Sequence, residues 1–316
     1  MKKIEFINRD VLEQKFYECL REHRMPDCFL YLGEAGVKNW MTLDKSGQFP
    51  IAAELTELLR ENSHSIVAYM TPGMNIVSIG IGSGEKERIL LEKLAKRERP
   101  MFYPVDVSSQ MVDAALETVR DLPVETMGLV GLFEDLPVLK RCWHSPITLC
   151  LLGNSFCNYE PEEILAVMRD NLHDKDLFLF DCHLFPPSKD EESTRKSIEE
   201  TYRSEKNALF NMGPLLERGM DPEHFEFKLD LLPTETSFGY IYRTHKKLCV
   251  CKDAAIQCGP GTIDLKAGDT IQLGFTYKYK REQVEDLLRK QGFDLLKLFL
   301  SADRSNLLAL VRKKSA

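Results

Sequence analysis

No run of about eighteen apolar residues occurs in the chain, so no segment reads as a membrane-spanning helix. The opening Met1-Lys-Lys-Ile-Glu-Phe-Ile-Asn-Arg-Asp10 lacks the unbroken apolar stretch of an export signal. Charge of neither sign gathers in a block, and a formal net charge of −7 with an isoelectric point near 5.6 argues against a general nucleic-acid binder. There is no internal repeat and no low-complexity segment. A disulfide framework is also missing: the nine cysteines are odd in number and irregularly spaced, several of them in apolar segments, as at Cys150, Cys157 and Cys182. That usage suits reduced thiols in a cytosolic core, so a cytoplasmic protein is expected. His245, Cys249, Cys251 and Cys258 fall close together, but Cys249 and Cys251 sit two apart on an apparent strand without the turn that wraps ligands round an ion, and no metal is expected.

What remains is a 316-residue chain, 43% hydrophobic, long enough for one large domain or two modest ones with a full core. Its most informative segment is Ile76-Val-Ser-Ile-Gly80-Ile-Gly82-Ser-Gly84-Glu-Lys86-Glu-Arg88, an apolar strand that breaks into alternate glycines and runs straight into a charged helix. Glycines serve where backbone takes positive φ or a ligand approaches without a Cβ in the way, and the free N–H groups of the helix favour a polar or anionic ligand edge. Met101-Phe-Tyr-Pro-Val-Asp106 reads as the next strand, ending in an acid roughly twenty residues after the last glycine, where a carboxylate grips ribose hydroxyls. NAD-binding and S-adenosylmethionine-binding folds share this pair of signals. The x-G-x-G-x-G spacing suits S-adenosylmethionine better than the spacing that brings a pyrophosphate against a helix.

Periodicity predicts a helix over Asp10–His23 capped by Asp10, irregular chain over Asp27–Pro50, and a helix over Ile51–Glu61. From Asn75 to Asp181 strands and helices alternate, with buried-strand runs such as Ile147-Thr-Leu-Cys-Leu-Leu152, which implies a parallel sheet covered on both faces. After Cys182 the rhythm stops at Pro186-Pro187. A charged helix over Glu191–Ala208 is expected, then short antiparallel strands over Glu226–Leu232, Ser237–Thr244, Lys247–Cys251 and Thr270–Tyr279. A last helix, Arg281–Gln291, leads into a terminal hairpin. A parallel α/β core closed by an antiparallel hairpin is the plan of a Rossmann-like seven-stranded class I methyltransferase. The core is expected at 64–188 and 280–316, and a mixed α+β substrate-binding lobe at 1–63 and 189–279, over the carboxyl ends of the strands.

The loop after the fourth strand, Leu151-Leu-Gly153-Asn154-Ser-Phe-Cys-Asn158-Tyr159-Glu-Pro161, puts polar residues at the expected ligand edge. Asn158 can donate and accept towards an amino-acid-like substrate, although Asn154 or Asn158 could equally cap the helix that Pro161 opens.

Here the chain resembles the histidine-specific Nα-methyltransferases of ergothioneine biosynthesis and their amino-acid-methylating relatives, over most of its length. Gly80-Ile-Gly82-Ser-Gly84-Glu-Lys86 is similar to that family's Gly-Ser-Gly-Thr-Ser-Glu-Lys turn, whose first glycine and lysine contact the cofactor. Leu152-Gly153 to Asn158 resembles its Leu-Gly-Ser-x-x-Gly-Asn motif, whose last asparagine holds the substrate's α-amino and carboxylate groups. Asp106 falls on the ribose-binding acid, Tyr31 on an upstream tyrosine, Tyr202 with Phe210-Asn211 on a Tyr…Phe-Asn stretch whose tyrosine faces substrate, and Lys278-Tyr279 on a Lys-Phe pair. The departures are specific. The family's side-chain-reading glutamate and its serine or threonine align with Gly274 and Thr276, leaving no carboxylate there for an imidazole N–H, which argues against histidine as substrate. An adenine-facing Asp-Phe pair becomes Leu132-Phe133, and a substrate tyrosine becomes Phe49.

The resemblance implies an S-adenosylmethionine-dependent N-methyltransferase acting on the α-amino group of an amino acid or derivative. Its cofactor contacts would be Gly80, Gly82, Gly84, Lys86, Asp106, Leu132, Phe133, Gly153 and Asn154. Its substrate contacts would be Tyr31, Phe49, Asn158, Tyr202, Gly274 and Thr276. Methyl transfer from a sulfonium needs positioning and exclusion of water rather than a dedicated base, and none is assigned. The expected partner is a small-molecule substrate, with neither nucleic acid nor membrane; oligomeric state is not set. Alternatives are a methyltransferase of the same fold acting on an oxygen, a thiol or a specialised-metabolite amine, and a protein that binds the cofactor without transfer.

Overall fold

The first twenty-five residues already depart from the expected division of the chain. In the computed structural model, which describes residues 2–44, 50–187 and 190–314, β1 (Lys2–Glu5) lies parallel to a strand of the main sheet, and only then does the chain enter the second lobe. There it forms α1 (Arg9–Arg21), β2 (Arg24–Met25) and α2 (Gly33–Asp44). Asn8, not Asp10, caps α1, its Oδ1 accepting from Val11 N at 2.9 Å. The stretch read as irregular contains α2, whose periodicity is masked by glycines. Gly36 is needed there for space: a Cβ would come within 2.7 Å of Leu30 O.

α3 (Pro50–Val67) returns to the core, where Leu58, Leu59, Ile66 and Val67 pack against Leu90, Leu91 and Leu94. The expectation that residues 1–63 belong to the second lobe is therefore corrected for β1 and α3. The alternating region follows as β3 (Asn75–Ile79), α4 (Glu85–Leu94), β4 (Met101–Asp106), α5 (Ser109–Thr118), β5 (Glu125–Val130), α6 (Leu136–Leu139), β6 (Ile147–Leu151), α7 (Pro161–Asn171) and β7 (Leu177–His183). After the second lobe, α10 (Arg281–Lys290), β14 (Phe293–Leu300) and β15 (Asn306–Lys313) close the sheet.

The strand order is β1-β5-β4-β3-β6-β7-β15-β14, parallel through β7 and antiparallel in the terminal hairpin. The seven expected strands are all present, and β1 adds an eighth. Every residue of β6 and β7 is buried, as a sheet covered by helices on both faces requires.

Residues 190–279 supply α8 (Glu191–Tyr202), α9 (Glu205–Leu216), β8 (Phe225–Thr236), β9 (Gly239–Val250), β10 (Ala254–Cys258), β11 (Gly261–Leu265), β12 (Thr270–Leu273) and β13 (Tyr277–Lys278). The single charged helix expected here is two, divided at Arg203, with Ser204 capping the second through Asn207 N at 3.4 Å. β13-β9-β12-β2 form a second sheet on which β8 pairs with β9. β9 runs unbroken across His245 and Lys246, where two strands were expected. A separate core of Phe16, Leu20, Phe29, Phe210, Leu248 and Ile271 joins the N-terminal helices to this sheet. Among the described residues, no helix is long and apolar enough to cross a membrane.

Candidate active site

The turn after β3 carries three positive φ angles, 65° at Gly80, 57° at Gly82 and 76° at Gly84. Gly84 starts α4 and leaves no room for a side chain, since a Cβ would stand 3.0 Å from Ala115 Cα. Gly82 faces the second lobe: the place of its missing Cβ is 3.8 Å from Trp40 Nε1 on α2. At the end of β4, Asp106 accepts from Ser108 N at 2.9 Å and, at the long distance of 3.5 Å, from Gly82 N. Burial pushes its carboxyl up to about 6, with the backbone N–H groups only partly offsetting the desolvation. An acid so placed, with a side-chain-free turn beside it, fits the vicinal hydroxyls of a ribose.

The loop after β6 is clamped from below. Asp181 on β7 accepts from Gly153 N at 2.9 Å and from Asn154 N at 2.7 Å, and both residues have positive φ, 86° and 65°. Desolvation raises Asp181 to about 6 as well. Lys86 reaches across from α4, its Nζ 3.5 Å from where a Gly153 Cβ would sit, and its charge favours the ionised form of Asp181. The glycine turn, Lys86 and Gly153 thus meet at the carboxyl ends of β3 and β6.

Asn154 is used internally. Its Oδ1 accepts from His183 N at 2.8 Å and its Nδ2 donates to Thr276 Oγ1 at 3.3 Å, so the side chain expected to touch cofactor instead ties the core to the second lobe. Thr276 is held in turn by Thr244 Oγ1, which accepts from Thr276 N at 2.7 Å, and its hydroxyl shares a hydrogen bond with Tyr202. Lys278 Nζ donates to Tyr202 Oη at 2.7 Å. Lys278 is fully buried without a carboxylate in contact among the described residues, and desolvation pushes it down to about 8. Asn154, Thr276, Tyr202 and Lys278 therefore form one buried polar chain. Asn158, four residues beyond Asn154, is half-buried and its amide has no hydrogen-bond partner among the described residues.

Aromatic rings line the approach. Tyr31 meets Trp40 and Phe210 edge-on at centroid distances of 5.4 and 5.5 Å. Phe133 lies against Tyr159 at 4.6 Å, and Leu132, its side chain nearly buried, gives its N–H to Asp135 Oδ2 at 2.8 Å. Phe49 lies outside the described residues. Gly274 holds a surprise. The expectation that no carboxylate stands there is corrected, because a Cβ on Gly274 would overlap the carboxylate of Asp27. That acid comes from the turn Asp27–Tyr31 and accepts from Lys246 Nζ at 3.2 Å. Asp27, Lys246, Trp40, Tyr159 and Asp181 were not singled out from sequence. Lys246 falls in the gap expected between the strands Ser237–Thr244 and Lys247–Cys251.

The model of the family described as "Histidine-specific methyltransferase, SAM-dependent" matches residues 12–313. The chain belongs to this family. The resemblance drawn from the glycine turn and the asparagine loop is thus borne out, and S-adenosylmethionine is the cofactor of this methyltransferase. The N-methyltransferase fsqC of Aspergillus fumigatus is 22% identical over 304 residues, which cover 90% of this chain and 78% of that protein. The 4-dimethylallyltryptophan N-methyltransferase easF of Epichloe festucae var. lolii is 22% identical over 300 residues, 85% of this chain and 84% of its own. Among solved structures, an S-adenosylmethionine-dependent methyltransferase from Clostridium acetobutylicum aligns over 83% of this chain and 92% of its own, at 10% identity and a TM-score of 0.41. The class I fold of the methyltransferase rests on its own strand order rather than on that alignment.

Proposed function

We propose that the methyltransferase transfers a methyl group to the α-amino nitrogen of an amino acid or amino-acid derivative. The reading rests on the loop after β6, where one asparagine is consumed by structure and the other, Asn158, keeps an amide that can accept from an amine and donate to a carboxylate. Bound S-adenosylmethionine supplies an electrophilic sulfonium methyl. Gly80, Gly82, Lys86 and Asp106 would hold it, and Trp40 with α2 would cover the turn. The chain's own work is to bring a neutral nitrogen into line and keep water out. Burial and the positive charge of Lys278 both disfavour an ammonium, so the acceptor amine sheds its proton on entry and no dedicated base is needed.

The names of two relatives support a nitrogen acceptor, one of them an amino-acid derivative with a large apolar body. The wall of Tyr31, Trp40 and Phe210 also favours a second reading, a specialised-metabolite amine as acceptor. Replacing Asn158 with Ala tests the first. Affinity for S-adenosylhomocysteine should stay within about twofold while kcat/KM for the acceptor falls roughly tenfold to a hundredfold, the cost of one or two polar contacts. Equal loss of cofactor affinity and turnover would show that Asn158 shapes the loop instead.

A further inference from the structure

We propose that Trp40 is a cofactor residue lent by the second lobe, its indole N–H donating a hydrogen bond to a ribose oxygen of bound S-adenosylmethionine above Gly82. The inference concerns the cofactor and is independent of which acceptor is methylated.

The indole nitrogen faces the glycine turn. A Cβ built on Gly82 would meet Trp40 Nε1 at 3.8 Å and no other atom within 4 Å among the described residues. Gly82 has φ 57°, so the space between the turn and the indole stays open because no side chain grows into it. An indole N–H donates and cannot accept. That of Trp40, on a half-buried ring, gives no hydrogen bond to any described residue. The glycine turn beneath it offers no side-chain acceptor, so the acceptor arrives with the ligand.

Asp106 says which end of the cofactor lies there. Gly82 N stands 3.5 Å from Asp106 Oδ2, so the glycine under Trp40 borders the acid that fits a ribose. Lys86, the cation of the site, stands elsewhere, beside Gly153. An ionised carboxylate only accepts, so a hydroxyl bound by Asp106 spends its proton there and keeps its oxygen lone pairs for another neighbour. An uncharged donor over the turn completes that hydroxyl. The ring is fixed for this by Tyr31, edge-on at 5.4 Å, and by Phe210, tilted at 5.6 Å, which are themselves 5.5 Å apart. A donor held in place before the ligand arrives loses little freedom on binding.

The test uses two substitutions that separate the donor from the packing. The five-membered ring of histidine overlays that of indole and puts Nε2 at the place of Nε1, so Trp40→His keeps a donor and loses the outer ring. Trp40→Phe keeps a larger apolar ring and loses the donor. At about pH 8, where an ordinary imidazole is neutral, S-adenosylhomocysteine should bind Trp40→Phe roughly threefold to tenfold more weakly than the native chain, and Trp40→His should recover most of that loss. Methylthioadenosine, which keeps the ribose and lacks the α-amino and carboxylate groups, should show the same ratios. Tighter binding by the phenylalanine variant than by the histidine variant makes packing the cause and overturns the inference. A loss seen with S-adenosylhomocysteine and absent with methylthioadenosine overturns it too, by moving the contact off the ribose.

A second measurement holds even if both Trp40 variants fail to fold. The chain has two tryptophans, and the other, Trp143, is buried in the main core ahead of β6. In Trp143→Phe the tryptophan emission is that of Trp40 alone, and saturating S-adenosylhomocysteine should shift it; an unchanged spectrum overturns the inference. None of these readouts involves an acceptor, so every outcome leaves the α-amino reading to its own test.

Discussion

Replacing Lys278 with methionine should stabilise the methyltransferase near neutral pH and remove a rise in stability that the native chain shows in alkali. Lys278 is fully buried, hydrogen-bonded to Tyr202, and its pKa falls from 10.5 to about 8 because burial penalises the ammonium. The difference, 10.5 − 8, is about 2.5 units, or roughly 3 kcal/mol of cost at about pH 7 relative to a neutral side chain. Between the folded value and the unfolded one the unfolded chain binds more protons, so native stability climbs with pH through that window, and by about pH 9.5 roughly 2 kcal/mol of the penalty is gone. Methionine keeps the length of the side chain, removes the charge, and gives up a hydrogen bond worth about 1 kcal/mol. The variant should then exceed the native chain by roughly 2 kcal/mol near neutrality and draw level near pH 9.5. Urea titration of both proteins at the two pH values measures the gap, and every other titrating group cancels in the comparison. A gap that does not change with pH would refute the account of Lys278 as a buried, charged, unpaired lysine.

Cofactor affinity should be flat above about pH 7 and fall close to tenfold per unit below about 6, because ribose hydroxyls donate to the ionised form of Asp106, whose pKa is pushed up to about 6. Asp106→Asn should weaken binding and abolish that slope, which titration of S-adenosylhomocysteine across pH would show. Asn154→Ala strips partners from His183 N and Thr276 Oγ1 and puts a Cβ-bearing residue without a polar side chain at φ 65°, so a loss of about 2–4 kcal/mol is expected by chemical unfolding. Should stability hold and only cofactor affinity drop, Asn154 contacts the cofactor after all.

The core was readable because its signals are local. Buried strand runs such as Ile147–Leu152, the alternate glycines, and Asp106 at a strand end each announce themselves within a few residues. The second lobe is held by pairs that sequence separates widely. Lys246 reads as a gap between two strands, yet β9 runs through it, with its ammonium met by Asp27 from far upstream. Asn154 reads equally well as a cofactor contact or a helix cap, and its actual partners, His183 at the end of β7 and Thr276 just before β13, are far from it in sequence. Gly274 shows the limit most plainly. The missing glutamate was visible in sequence, but the carboxylate that fills its place comes from another element and only the fold brings it there.

Because Lys2–Glu5 occupies the flank of β5, the sheet meets solvent on that side through four residues, three of them charged. Lys3 leans back onto Asp113 and Ser109 of α5 at 2.8 Å, so docking another strand against this flank would mean disturbing those contacts and drying several charges. Edge strands short and charged in this way resist recruitment into intermolecular sheets. Removing these residues would uncover Glu125–Val130, with its apolar end Leu129-Val130, as an unpaired template, and aggregation at concentrations the intact chain tolerates would follow.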